Sequence, residues 1–200
     1  MKRKLTLLAL LALLISHWSC QQNDSKKENL KDIAYDAFVY AYPMMEQVKT
    51  INGMIQVNNV QPNELFVNEA YPAENIDQPI VLNNLTSMTG GGYIDISGGP
   101  VTLEIPEVKD RFVVYQFIDV FTHNFFYSGT ITDGGEGGRY ILYNNTQEVP
   151  DDPTATPVLM EGDLAILSCR MDIKDRSELD KVLGLLNQMK IPDAPSTNRE

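Results

Sequence analysis

The spacing of hydrophobic residues changes several times along the chain. An apolar run from Leu5 to Ile15 is followed by a polar stretch over residues 21–30. Apolar residues then recur every three to four positions from Ile33 to Val48, and this spacing predicts an amphipathic helix. We expect Pro43 to kink or divide this helix, because proline lacks the backbone N–H, and we expect Asn52-Gly53 to end it.

Residues 53–79 show little periodicity, and we expect either a long irregular connection or short edge strands there. Short apolar runs separated by glycine and proline follow from Ile80 onward. The predicted strands are Ile80–Leu85, Tyr93–Ile96, Val101–Ile105, Arg111–Ile118, Phe125–Thr130, Arg139–Tyr143 and Asp163–Met171. We expect turns at Gly90-Gly91-Gly92, and a hairpin turn at Gly134–Gly138. Short strands joined in this way are typical of an antiparallel β-sandwich or jelly roll.

A second helix is predicted near the end of the chain. Ser177 and Asp180 have the spacing of a capping box, in which two side chains satisfy free N–H groups at a helix start. One apolar stripe follows, and Pro192 closes it; the stripe comprises Leu179, Val182, Leu183, Leu186 and Met189. The predicted fold class is therefore mainly β, an antiparallel sandwich or jelly-roll-like domain with an N-terminal and a C-terminal helix packed on it.

The first residues have the organisation of a bacterial export signal. Lys2, Arg3 and Lys4 precede the apolar run, which is shorter than the roughly 20 residues of a membrane-spanning helix. Ser19 then precedes Cys20, and this arrangement resembles the bacterial lipoprotein signal, in which the cysteine receives a diacylglycerol. His17 and Trp18 depart from that signal, so an ordinary cleaved signal with a coincidental cysteine is the alternative.

These features predict a domain organisation and a location. We expect a signal peptide over 1–19, a lipidated polar tether over 20–30, a single domain over 31–192 and a polar tail over 193–200. The protein is expected in the bacterial cell envelope, facing the periplasm or the cell surface, and held at the membrane by the lipid anchor alone. Two acyl chains make such attachment stable.

The net charge limits the classes of molecule that the protein can bind, and the cysteine content limits its disulfides. Removal of residues 1–19 takes away three of the 16 basic residues and none of the 27 acidic ones, so the net charge changes from −11 to −14. A chain this acidic repels phosphate backbones, which excludes nucleic-acid binding. Cys169 is the second of two cysteines, lies in an apolar run and is expected to be buried, without a disulfide if Cys20 is acylated.

His123 is the only histidine after residue 17, and it follows Asp119 by four positions. A carboxylate at this separation along the sequence can orient an imidazole for acid–base catalysis. The chain has no G-x-S-x-G motif to supply a nucleophile. Three interpretations remain open: a catalytic base, a ligand contact, and a structural histidine bonded to neighbours such as Thr122 or Asn124.

Metal and cofactor sites are not predicted. One histidine and one cysteine cannot supply the three or four ligands of a zinc site, and no calcium-binding loop of EF-hand spacing is present. The glycines around Glu136 lack the lysine of a phosphate-binding loop, and no dinucleotide fingerprint occurs. Arg170 ends an apolar strand, so it either pairs with Asp172, Asp175 or a buried carboxylate, or binds an anionic group with its planar fork.

Several segments, taken in their order and spacing, carry a family resemblance. They are Ala37-Phe38-Val39-Tyr40-Ala41-Tyr42-Pro43, Gly99-Pro100-Val101, Leu103-Glu104-Ile105-Pro106, Arg111-Phe112, Tyr115-Gln116-Phe117-Ile118-Asp119, Thr122-His123-Asn124-Phe125, Gly129-Thr130, Gly137–Ile141, and Arg170 with the Glu178–Met189 helix. Over about residues 30–192 the chain resembles the domain-of-unknown-function 1254 family. The resemblance implies a jelly-roll-like β domain with flanking helices, and no established reaction.

The chain departs from the family pattern in two segments. An acidic residue usual in the Asn-Asn/Arg-Asp-Thr block is replaced by Leu85 within 83–86, and Ile131 stands where a basic residue is frequent. Family members usually continue into a second β-rich domain, of unknown function 1214, which we expect this chain to lack. A polar site built on these positions is therefore expected to be weakened.

The sequence predicts a non-catalytic envelope lipoprotein that binds a small molecule or an envelope protein. The candidate binding residues are Asp119, His123 and Asn124, with Asn83, Thr86 and Arg170 as further candidates. One alternative is a hydrolase that uses His123 with Asp119. Another is that the chain is half of a two-domain protein and associates with a separate β domain of the C-terminal type.

Overall fold

Two β-sheets flanked by helices form the structure, a computed structural model that describes residues 2–72 and 85–192. Helix α1 spans Lys2–Asn58, and α2 spans Leu179–Leu186 after a 3₁₀ turn at Arg176–Glu178. The strands in the described residues are β1 (Leu65–Val67), β2 (Ser87–Asp95), β3 (Val101–Ile105), β4 (Val113–Asp119), β5 (Asn124–Gly129), β6 (Gly138–Asn144), β7 (Ala155–Met160) and β8 (Leu164–Asp172). The chain forms two compact units, residues 1–45 and 46–200.

Helix α1 continues through positions at which we expected interruptions. Pro43 lies inside the helix, so the predicted division there is wrong, and the helix ends at Asn58 rather than at Asn52-Gly53. Asn59 follows with a φ of 52°, a left-handed conformation that asparagine tolerates and that stops a helix. Residues 20–30 are also helical. No helix within the described part of the chain is long and apolar enough to cross a membrane.

The strands form a five-stranded sheet in the order β1-β2-β8-β4-β5 and a three-stranded sheet in the order β3-β6-β7. All pairs are antiparallel except β6 with β7, which is parallel. Side chains from both sheets and from α2 share one buried cluster, to which Phe117, Leu167, Leu103, Leu142 and Leu186 belong. The predicted fold class, mainly antiparallel β with helices at both ends, is confirmed.

Most strand positions agree with the prediction to within two residues, and β3 agrees at both ends. Strand β7 was not predicted, whereas β1 falls within 53–79, where short edge strands were one of the two expectations, and it lies at the edge of its sheet. Pro157 disfavours a strand at the position of β7, because proline lacks the backbone N–H, but β7 is an edge strand, where that missing N–H costs least. The predicted strand at Ile80–Leu85 lies outside the described residues except for Leu85, which is in a bend.

The three consecutive glycines do not form the predicted turn; they lie in the middle of β2. The physical reason is the close approach of two neighbouring strands. A Cβ atom on Gly91, where φ is +151°, would lie 2.0 Å from the carbonyl oxygen of Leu167 in β8. A Cβ atom on Gly92 would lie 2.3 Å from the carbonyl oxygen of Glu64, just before β1. These glycines therefore permit sheet pairing and do not interrupt it.

The second glycine cluster also differs from the prediction, because β5 and β6 belong to different sheets and cannot form a hairpin. The segment between them is organised by Asp133. Its carboxylate accepts hydrogen bonds from the Ser128 hydroxyl (2.6 Å) and from the backbone N–H groups of Gly129 and Gly135 (3.0 and 2.8 Å). Burial raises the pKa of the Asp133 carboxyl, but these hydrogen bonds outweigh burial and hold its pKa below the usual range.

A buried arginine joins the start of β4 to the segment before α2. The Arg111 side chain is 3% exposed and donates to the Glu178 carboxylate and to the carbonyl oxygen of Asp172, both at 3.2 Å. The Lys174 backbone N–H and then Arg111 lower the pKa of Glu178. The predicted capping box is wrong: Asp175, whose carboxylate accepts from the Ser177 N–H at 2.8 Å, caps the 3₁₀ turn.

Replacement of Gly91 tests the close approach of β2 and β8. Gly91→Ala is expected to lower the free energy of unfolding by more than about 3 kcal/mol, because the new methyl group meets backbone atoms that cannot move aside. Gly53→Ala is the control, since its methyl group enters open space in a helix and should raise stability by up to about 1 kcal/mol. Urea unfolding measures both; equal effects of the two changes would contradict this packing.

Acid unfolding tests the Asp133 network. Because the folded-state pKa of Asp133 is lowered, its carboxylate contributes stability above the unfolded pKa of about 3.9, and this contribution is lost as the pH falls through the folded pKa. Asp133→Asn should therefore be less stable than wild type at pH 7, and the difference should shrink below about pH 4. Glu136→Gln, at an exposed position, is the control. A pH-independent difference between Asp133→Asn and wild type would exclude this role.

Candidate functional site

Strand β8 divides its side chains between the two faces of the five-stranded sheet. Ala165, Leu167, Cys169 and Met171 belong to the shared core, so this is the inner face. The intervening residues, which include Ile166, Ser168 and Arg170, lie on the opposite, outer face. At one end of the outer face, Ile51 of α1 and Val60 pack against Tyr93 and Ile166. The other end carries Arg170 and is not covered by this cluster.

Arg170 occupies an unusual position for a charged residue, in the central strand of the sheet. It lies directly opposite Thr89 of β2 and Val114 of β4, and its side chain is exposed. It makes no hydrogen bond or ion pair with any residue that the structure describes. The predicted alternative of pairing with Asp172 or Asp175 is therefore not observed, and the buried, paired arginine of this region is Arg111.

An apolar groove of about 280 Å³ lies beside Arg170, where β4 and β5 meet the following loop. It is lined chiefly by Phe112, Val114, Tyr127, Gly129, Ile131 and Thr132. Ile131 is 83% exposed, and Phe112 and Tyr127 are also exposed. Gly129 faces Val114 across the strands without a side chain, which leaves the groove open. Because Val114 is the direct cross-strand neighbour of Arg170, the groove and the guanidinium lie on adjacent strands of one face.

Asn124 lies on the same outer face as Arg170. Gln116 of β4 lies between Ser168 of β8 and Tyr127 of β5, and its side-chain amide donates a 2.6 Å hydrogen bond to Oδ1 of Asn124. The sequence prediction singled out Asn124 and Arg170 separately, and the fold places them on one surface. It missed Gln116, Tyr127 and the groove, for which the only sequence signal was the alternation along β4, whose intervening positions are half-buried.

The Asp119–His123 pair forms the turn between β4 and β5. Oδ1 of Asp119 accepts the backbone N–H groups of Phe121 and His123 at 2.8 and 2.9 Å, and Thr122 has a φ of 69°. The Asp119 side chain is 8% exposed, whereas His123 is 74% exposed and its Nδ1 lies 3.5 Å from Oδ2 of Asp119. The described contacts of His123 include no hydroxyl or thiol, so this geometry provides an oriented imidazole without a nucleophile.

The remaining predicted groups lie elsewhere. Thr86 precedes β2, and its carbonyl oxygen accepts the N–H of Ile173 at 2.9 Å; Asn83 lies outside the described residues. Cys169 is buried as expected, and burial raises the pKa of its thiol, which makes it unreactive. Among the side chains that the structure describes, which begin at residue 29, no group of three or more His, Cys, Asp or Glu residues is arranged to hold a metal ion.

A solved structure shows the same fold at low sequence identity. The VPA0106 protein from Vibrio parahaemolyticus superposes with a TM-score of 0.69 at 19% identity, over 84% of this chain and 42% of that one. A putative uncharacterized protein from Burkholderia cenocepacia matches at 12% identity and a TM-score of 0.40, over 82% and 44% of the two chains. The chain thus spans less than half the length of these structures. No curated protein matches it.

A family model matches residues 62–193, which include all eight described strands and α2. The match begins after the Ala37–Pro43 segment, so the resemblance rests on the β domain. Its description is "Protein of unknown function (DUF1254)". Because the model covers more than half of the sequence, the chain belongs to the DUF1254 family.

Proposed function

We propose that this protein is a non-catalytic binding module of the bacterial cell envelope, anchored through Cys20, that binds its ligand on the outer face of the five-stranded sheet. The observation that carries the proposal is Arg170, an exposed arginine in a central strand that has no partner among the described residues. It lies next to an open apolar groove. Ligand sites commonly combine an apolar surface with a few polar groups that orient the ligand.

The surface chemistry around Arg170 supports a binding role over a purely structural one. A structural arginine in a sheet is held by carboxylates or carbonyl oxygens, as Arg111 is. Arg170 instead projects among the half-buried side chains of Thr89, Val114 and Ser168. Solvent-exposed Phe112 and Ile131 beside it are costly to leave in water, and burial by a ligand offsets that cost.

A screen by thermal unfolding tests the proposed binding role. The purified protein is heated alone and with envelope sugars, small organic acids and divalent metals. A ligand of the folded state should raise the midpoint, with about 2.7 kcal/mol of stabilisation at a hundredfold excess over its Kd. Arg170→Gln and Ile131→Ser should each abolish most of the shift, because they remove the charge and the groove wall.

Two matched controls accompany these variants. Lys109→Gln removes an exposed charge, and Leu159→Ser removes a 55% exposed apolar side chain of β7, in the other sheet. Both should retain the full ligand-induced shift. A ligand whose shift survives Arg170→Gln and Ile131→Ser but disappears in Leu159→Ser would place binding elsewhere and overturn the proposal.

A hydrolase that uses His123 is the second candidate, favoured by the 3.5 Å approach of Nδ1 to the Asp119 carboxylate. It requires turnover that follows an imidazole-like pH profile. We expect His123→Ala to fold with nearly wild-type stability, since its ring is exposed, and to leave ligand binding at Arg170 unchanged. Asp119→Ala, which removes the turn contacts, should lower stability by about 1–2 kcal/mol. Ester or amide hydrolysis that vanishes in His123→Ala would establish the enzyme instead.

Association with a separate β-rich domain is a further proposal. It is supported by the length of the matched Vibrio protein, of which this chain covers 42%. In that case the exposed apolar residues around the groove would contact the second domain rather than a small molecule. Self-association of the isolated chain, weakened by Ile131→Ser and unchanged by Leu159→Ser, would favour this proposal over the small-molecule one.

A further inference from the structure

We infer that the ligand is a small organic monoanion, a carboxylate that carries a short apolar arm. The carboxylate binds the guanidinium of Arg170 on β8, and the arm lies across β4 in the groove lined by Phe112, Tyr127 and Ile131. This inference rests on the proposed binding function and specifies the chemistry of its ligand.

The charged residues on this face determine the sign of the charge that the ligand carries and the side of Arg170 on which that charge binds. Among the described residues of the face, Arg170 is the one cation. Asp172 is the nearby anion: it lies two positions further along β8, and its N–H bonds the Phe112 carbonyl at 2.9 Å. An anion is therefore repelled from the Asp172 side and favoured on the other side of Arg170, where Ser168 and Gln116 lie.

The polar groups on that side match a carboxylate. An arginine donates two parallel hydrogen bonds to the two oxygens of a carboxylate, a geometry that a lysine cannot reproduce. Ser168 on the same strand and the Gln116 amide on the adjacent strand supply further donors within the reach of one ligand. A single guanidinium neutralises one charge, so a monoanion fits this face better than a phosphate dianion.

The groove sets the size and direction of the apolar arm. Arg170, Val114 and Gly129 are consecutive cross-strand neighbours, so a ligand anchored at Arg170 reaches the groove by lying perpendicular to the strands. Adjacent strands are about 4.8 Å apart. The volume of about 280 Å³ is slightly below the range of sites for drug-sized ligands, which indicates a short acyl or aryl group.

Sodium hexanoate is the probe, and amide chemical-shift titration of the isotopically labelled protein is the measurement. Hexanoate should shift amides of β4, β5 and β8 around Arg170 and leave the three-stranded sheet unaffected. Acetate, which lacks the arm, and hexanol, which lacks the charge, should each bind at least about tenfold more weakly. Arg170→Gln should weaken hexanoate binding about tenfold or more, and Arg170→Lys should recover part of the loss.

Ile131→Ser should weaken hexanoate binding and leave acetate binding unchanged, whereas Lys109→Gln and Leu159→Ser should alter neither. Any of three results would overturn the inference: hexanol binds as tightly as hexanoate, hexanoate shifts amides outside this face, or hexanoate does not bind at all. The proposed function would survive if another ligand of the thermal screen still lost its shift in Arg170→Gln and Ile131→Ser. If no ligand depends on those two residues, both proposals fail.

Discussion

The pairing of β8 on both of its edges is the constraint on which the rest of the structure depends. Nine of its residues pair with β2 and seven with β4, so its backbone is fixed along almost its whole length. A strand held in this way must send alternate side chains to opposite faces. The inward set, with Leu167 and Cys169 at its centre, builds the core shared by the two sheets. The outward set is placed on a second surface that the core does not cover.

The two ends of that second surface differ. At the Ile166 end, residues Ile51 and Val60 cover the sheet with a small hydrophobic cluster. At the Arg170 end, the outward side chains of β8 are polar, whereas β4, β5 and the residues flanking them contribute Gly129 and the exposed apolar side chains of Phe112, Tyr127 and Ile131. Gly129 is needed there for backbone reasons as well, since a Cβ atom would lie 2.3 Å from the Val113 carbonyl oxygen. The same requirement that lets the strands approach therefore also leaves the groove open beside the charge.

The local pattern of apolar residues was sufficient to predict most strands, because β3, β4, β6 and β8 carry clear apolar alternation or apolar runs. It failed where tertiary contact overrides local preference. The glycines of β2 looked like a turn, yet Gly91 is required by the approach of Leu167. The Gly134–Gly138 segment has the glycine pattern of a hairpin, yet it connects strands of different sheets and is held by hydrogen bonds to the Asp133 carboxylate.

The candidate site was predictable only in part, and for a related reason. The sequence alone was enough to select Arg170, Asn124 and the Asp119–His123 pair by residue type and spacing. Asp119 and His123 do lie in one turn of the structure. Two features of the site depend on the register of three strands that are distant in the chain. They are the lack of a described partner for Arg170 and the position of Ile131 and Tyr127 beside it. Register of this kind is set by the packed fold and not by any one segment.

Binding of an anion at the Arg170 end of the sheet is the central claim, and a crystal structure with 6-bromohexanoate tests it most directly. The anomalous signal of the bromine locates the end of the arm without ambiguity. We expect the bromine between Phe112, Tyr127 and Ile131, and the carboxylate against the Arg170 guanidinium. Bromine bound at another surface, with Arg170 still without a partner, would contradict the account.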